Sequence, residues 1–153
     1  MEWLADLQGK VIGLDTAPLI YFIEESPDYL EIVRPFFEAI DSAEFSAVTS
    51  VVTLLEVLVH PFRHGDRELA GHYRDILLNS EGLITILLSQ EIAEKAAELR
   101  AAFNLRTPDA IQIATALQEG ASFFLTNDTR LPSIPGLTML VLDELKARSR
   151  TPG

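Results

Sequence analysis

Four acids stand where acids are uncommon. "VIGLD" puts Asp15 directly after a short apolar run, and "FFLTND" puts Asn127 and Asp128 directly after another. In "RTPDAIQIATAL", Asp109 falls in the first turn of a helix that begins with Thr107 as cap and Pro108 at the first helical position. In "TSVVTLLEVLVHP", Glu56 is the sole charged residue between Glu44 and Arg63. A helix over 50–59 surrounds it with apolar neighbours, Leu55 and Val59 among them, where an ionised carboxylate needs a cation, hydrogen bonds or a metal. Taken singly, Asp15 and Asp128 read as turn residues and Asp109 as an answer to the helix dipole. Glu56 resists so plain a reading, because a lone acid in an apolar helix is rarely there for solvation. Together the four acids point to one site. Clustered carboxylates repel one another unless a cation compensates. Hard oxygen ligands suit Mg²⁺ or Mn²⁺. Such a site could activate a water and stabilise the charge that develops on a phosphodiester during in-line attack.

The surrounding pattern says how these acids are positioned. Strand-like runs occupy 11–14, 45–49, 83–87, 122–126 and 138–142, each short, apolar and mostly not alternating, as strands buried on both faces are. Helical patterns lie between them over 17–25, 28–42, 50–59, 66–79, 90–103 and 108–119. Ser26–Pro27 reads as the start of the second, Pro35 as its kink or restart, and Gly120 as the stop of the last. Alternation of this kind predicts an α/β fold: a three-layer α/β/α single domain around a central, mainly parallel sheet, spanning 1–153 with its core at about 11–142. In such sheets ligands bind beyond the carboxyl ends of the strands, where the acids sit.

Composition narrows the partners. A chain of 153 residues, 48% hydrophobic and 23% charged, suits one globular domain. No apolar run is long enough to cross a bilayer, and the first ten residues lack a signal-peptide pattern. Without cysteine there are no disulfides and no thiolate metal sites, which fits a cytoplasmic protein. The net charge of −11 argues against avid, non-specific nucleic-acid binding. A nuclease whose metal ions supply positive charge stays compatible with it, although neutralising four acids would still leave −7.

The ordered set "VIGLDTAPLIYFIE", "TSVVTLLEVLVHP", "LRTPDAIQIATAL" and "FFLTND" resembles the PIN-domain ribonucleases, most of all the VapC-type toxins of toxin–antitoxin pairs. The likeness runs from about Val11 to Leu142 and rests on the set, since each motif alone is weak. It implies a Mg²⁺- or Mn²⁺-dependent endoribonuclease that hydrolyses RNA, is held by a small antitoxin protein and pairs with a second copy of itself. By position, Asp15, Glu56, Asp109 and Asp128 would be the catalytic and metal-binding acids, with Asp15 and Asp109 as direct ligands. Thr126 or Asn127 would hold a water or orient Asp128. Thr16 stands near the place where many relatives carry Ser or Asn, and could supply a hydroxyl. Arg106, three residues before Asp109, is the best candidate for an RNA contact. Arg63, Arg67, Arg74 and Arg130 are further candidates for a narrow basic strip beside the acids, most of them reading better as ordinary solvated arginines; without such a strip, the substrate would be held chiefly through the metals. A contrasting reading from another class is a catalytically weak PIN-like module that binds nucleic acid or protein; a metal hydrolase of small phosphate esters is a third.

Other features carry less. His60 and His64 have a spacing that suits a metal on a helix, but Pro61 and Gly65 make them a helix end and loop. No GK[ST] or G-x-G-x-x-G is present to cradle phosphates, and "TSVVT" lacks the glycines of a nucleophile elbow. The aromatic-rich stretch 21–40 reads mostly as core, with room for an apolar groove that would take a partner helix.

Overall fold

A computed structural model describes Met1–Arg150; Thr151–Gly153, which the expected domain included, lie outside it. The order of elements is α1 (Glu2–Ala5), β1 (Val11–Leu14), α2 (Thr16–Ile23), α3 (Leu30–Asp41), β2 (Ser46–Ser50), α4 (Val51–Arg63), α5 (Arg67–Asn79), β3 (Leu83–Ile86), α6 (Gln90–Phe103), α7 (Thr107–Gln118), β4 (Phe123–Thr126), β5 (Thr138–Val141) and α8 (Leu142–Arg150). The five strands form one sheet in the order β3-β2-β1-β4-β5, and every pairing is parallel. Among the described residues no helix is long and apolar enough to cross a membrane.

Side chains alternate across the sheet and feed two cores. Ile12 and Leu14 of β1 and Leu125 of β4 join Leu19, Val33, Phe36, Tyr73 and Leu145 on one face. Phe124 joins Ile92, Leu99, Ile113 and Ala116, from α6 and α7, on the other. Gly13 shows why β1 can lie so close to α7. A Cβ there would stand 2.6 Å from Ala116 Cβ and 2.7 Å from Phe124 Cδ1. The chain winds outward from β1 through β2 to β3, then returns to place β4 on the other side of β1. The loops after β1 and β4 therefore diverge and open a crevice at the point where the strand order reverses.

All five strands fall within a residue or two of expectation. Several finer expectations do not hold. Arg106, without a side-chain cap bond, is the N-cap of α7, so Thr107 is its first residue and not its cap. The helix expected from Ser26–Pro27 starts at Leu30, because Ser26 O instead accepts from Tyr29 N and Leu30 N in a turn. Pro35 and Pro61 both lie inside continuous helices. A proline removes one ladder bond and need not end a helix whose packing continues past it. α4 thus runs to Arg63, with His60 in its last turn and His64 capping it; the two rings lie 4.3 Å apart. Gly120 does end α7 (φ +77°), with Ala121 N donating to Ala116 O and Gly120 N to Leu117 O. α1 and α8 were not foreseen. The first is a single turn, and the second buries Leu142 and Leu145 and ties Asp143 to Tyr29 and Asn127.

The aromatic-rich stretch 21–40 is mostly core, and Phe22, Ile23, Phe37 and Ile40 line a cavity with His72 and Ile76. Phe36 and Phe37 are buried, Phe22 stacks on Phe37 at 4.3 Å and Tyr21 on Tyr29 at 4.2 Å. The exposed large apolar residues are Leu55, Val59 and Phe62 along α4, Ile84, Leu87 and Leu88 in and after β3, and Met1 and Leu78.

Candidate functional site

Asp15 ends β1 and caps α2. Its backbone N–H donates to Leu125 O at 2.9 Å, extending the β1–β4 ladder by one residue and fixing where the side chain starts. One carboxylate oxygen accepts from Thr16 N at 2.7 Å and the other from Thr126 Oγ1 at 2.7 Å. Burial holds the Asp15 carboxyl above its ordinary value; these two hydrogen bonds oppose the rise, while the charges of Asp109 and Glu56 add to it.

Glu56 projects from α4 into a polar cluster rather than the apolar one expected, since Leu55 and Val59 turn outward. Its Oε1 accepts from Thr16 Oγ1 at 2.9 Å and from Gln112 Nε2 at 3.2 Å. Gln112 Nε2 also lies 2.8 Å from Thr16 Oγ1 and 3.0 Å from Thr53 Oγ1. The network continues through Thr49, whose hydroxyl reaches Thr53 Oγ1 and Leu14 O, each at 3.0 Å. Gln112 and Thr53 escaped the sequence reading. Their signal was spacing: Gln112 lies three residues after Asp109 and Thr53 three before Glu56, each a polar residue on the same helical face as an acid.

Asp109 sits in the first turn of α7, where the helix dipole favours it. Arg106 pairs with it, Nε to Oδ2 at 3.1 Å. Asp128 follows β4 at the rim and pairs with Arg130, Nε to Oδ1 at 3.1 Å. Hydrogen bonding from Arg130 pulls the Asp128 carboxyl below its usual value. Thr126, fully buried, joins the two strand ends, because the hydroxyl that donates to Asp15 also accepts from Asp128 N at 3.0 Å. Asn127 does not take that part. Its Oδ1 accepts from Asp143 N at 3.0 Å and its Nδ2 reaches Tyr21 Oη at 3.4 Å, tying the loop to α2 and α8.

Asp15 and Glu56 therefore meet at Thr16, Asp109 acts on Asp15 through its charge, and Asp128 is linked to Asp15 through Thr126. Among the described residues no Lys, Arg or His forms an ion pair with Asp15 or Glu56. Nor do any three His, Asp or Glu side chains form a ready-made metal cage. The donor set nevertheless fits a hard divalent cation: oxygen ligands only, a carboxyl pushed upward by burial and like charges, and no cation answering it.

A family model described as PIN domain matches residues 12–137. The fold is also similar to solved structures. One is a VapBC2 complex from Rickettsia felis bound to a DNA fragment from the promoter (TM-score 0.67, 21% identity, 86% of this chain and 98% of that one). Another is a toxin–antitoxin complex from Klebsiella pneumoniae (TM-score 0.61, 25% identity, 84% and 95%). A third is a VapC toxin from Mycobacterium tuberculosis described as cleaving the sarcin–ricin loop (TM-score 0.60, 15% identity, 74% and 86%). No curated protein matches the sequence.

Proposed function

This chain belongs to the PIN-domain family, and from that premise we propose that it is a Mg²⁺- or Mn²⁺-dependent endoribonuclease serving as the toxin of a toxin–antitoxin pair. The observation that carries the reading is the crevice beside β1. Asp15, Glu56 and Asp109 lie there close enough for two of the charges to act on the third, and neither Asp15 nor Glu56 has a cationic partner among the described residues. The toxin role draws on the neighbours, two of which are toxin–antitoxin complexes and one an RNA-loop-cleaving toxin. An antitoxin that masks the crevice, and pairing of two copies, belong to the same proposal.

Asp15, Glu56, Asp109 and Asp128 would hold the ion. When bound, it would supply Lewis-acid stabilisation of the scissile phosphate and a more acidic water. The chain's own part is positioning. Thr126 fixes the Asp15 carboxylate from one side and the Thr16 backbone from the other. Thr16 and Gln112 aim one oxygen of Glu56. The start of α7 aims Asp109. Held in this way, the acids lose little side-chain freedom on engaging a ligand.

The test is cleavage of a mixed-sequence RNA by purified protein with Mn²⁺, comparing the parent with Asp15→Asn and Asp109→Asn. Loss of a ligand should lower the rate by about 100-fold or more, beyond the 10–100-fold typical of residues that only support ligands. Cleavage by both variants at the parent's rate would overturn the site. The pairing of Asp109 and Asp128 with arginines supports a second reading, a binding module without turnover. Titration calorimetry decides between them, since the module reading expects no Mn²⁺ binding at millimolar concentration.

A further inference from the structure

Two arginines grip candidate site acids, both as side-on forks. Arg106 Nε donates to Asp109 Oδ2 at 3.1 Å and Nη2 reaches Oδ1 at 3.5 Å. Arg130 Nε donates to Asp128 Oδ1 at 3.1 Å and Nη2 to Oδ2 at 3.3 Å. Exposure is lopsided in both pairs. The arginine side chains are 71% and 83% exposed, the acids they hold only 14% and 22%. The acids are thus fixed by the fold, whereas the guanidinium tips are fixed mainly by the acids. Exposed ion pairs of this kind are weak and readily exchanged.

Their placement is also distinctive. Arg106 caps the helix that carries Asp109, and Arg130 follows Asp128 in the loop after β4. The charge of Arg106 reaches Arg130 and opposes the rise that Asp128 gives it. Arg74, by contrast, lies over the Phe62 ring and so joins α5 to α4. A fork that grips a carboxylate fits a phosphodiester equally well. A divalent cation drawn to Asp109 and Asp128 competes for the same oxygens that the forks occupy.

We propose that Arg106 and Arg130 are exchangeable counter-ions: they neutralise Asp109 and Asp128 in the metal-free protein, and are released as a divalent cation takes those carboxylates, to grip backbone phosphates of a single RNA strand. The inference rests on the nuclease reading and explains how a chain of net charge −11 admits a polyanion. The cation then acts twice on the local charge, by covering the acids and by freeing two positive groups that were bound to them.

Arg106→Ala, Arg130→Ala and the double variant should move two affinities in opposite directions. Removing a competitor tightens Mn²⁺ by about two- to fivefold per arginine, the range for an exposed pair, read by titration calorimetry. Losing a phosphate contact weakens binding of a labelled single-stranded RNA by roughly tenfold, and lowers the salt slope by about 0.7 per contact. RNA binding is read by fluorescence anisotropy with Ca²⁺, another oxygen-seeking divalent cation, in place of Mn²⁺ so that the strand is held without turnover, and a denaturing gel checks that it stays intact. Arg34→Ala, an exposed arginine of α3, should leave both affinities unchanged. Affinities that stay fixed, or fall together, in the Arg106 and Arg130 variants would overturn the exchange while leaving the nuclease reading intact. A parent that binds no Mn²⁺ would remove the nuclease reading itself.

Discussion

Asp15 shows how one residue acquires its chemistry from its surroundings. Its backbone N–H extends a ladder, while its carboxylate caps a helix and faces two like charges. Its pKa is raised from the ordinary 3.8, so between that value and its folded pKa the folded state binds more protons than the unfolded one. Its contribution to stability is complete below the ordinary value and is lost as pH rises through the folded one. Asp15→Asn removes that loss. Melting in EDTA should therefore show the variant gaining on the parent from pH 4 to pH 7, and a gap that does not change with pH would contradict it. Millimolar Mn²⁺ should narrow the gap at pH 7 by stabilising the parent alone.

Helix α7 and strand β1 hold the site as a pair of elements. Gly13 lets them touch, and Gly13→Ala should cost about 1–3 kcal/mol in urea denaturation, because the added methyl meets Ala116 and the Phe124 ring. One turn along α7 from Asp109, Gln112 ties the helix to Thr16, Thr53 and Glu56. Gln112→Leu keeps most of the volume and removes the donor. It should destabilise by about 1–3 kcal/mol and weaken Mn²⁺ by about 10–100-fold. A variant that loses stability yet binds Mn²⁺ as tightly as the parent would make Gln112 a packing residue only.

At the scale of the whole molecule the excess of 23 acids over 12 basic residues sets the terms of any encounter with RNA. A basic nuclease loses affinity as salt of any kind is added. Here the proposed function expects the reverse for divalent ions: at constant ionic strength, RNA affinity should rise as Mg²⁺ is brought to millimolar levels. A steady fall would place RNA binding away from the acids. The outward residues Leu55, Val59 and Phe62 run along the helix that carries Glu56.

Much of this protein is legible in one dimension. Short apolar runs separated by helical periods already specify a parallel α/β sheet, because a strand buried on both faces cannot alternate and must be reached by a crossover. Asp15, Asp109 and Asp128 stand out for the same local reason: an acid at a strand end or helix start is visible beside the element it terminates. What lies between elements is not visible in this way. Gln112 and Thr16 are 96 residues apart, and Thr126 reaches Asp15 across 111. Only the order β3-β2-β1-β4-β5 brings those hydroxyls and that amide to the acids. It also turns Leu55 outward and Glu56 inward on a helix whose sequence suggested an apolar home for the acid. Periodicity fixes which residues share a face; only packing against other elements decides what that face meets.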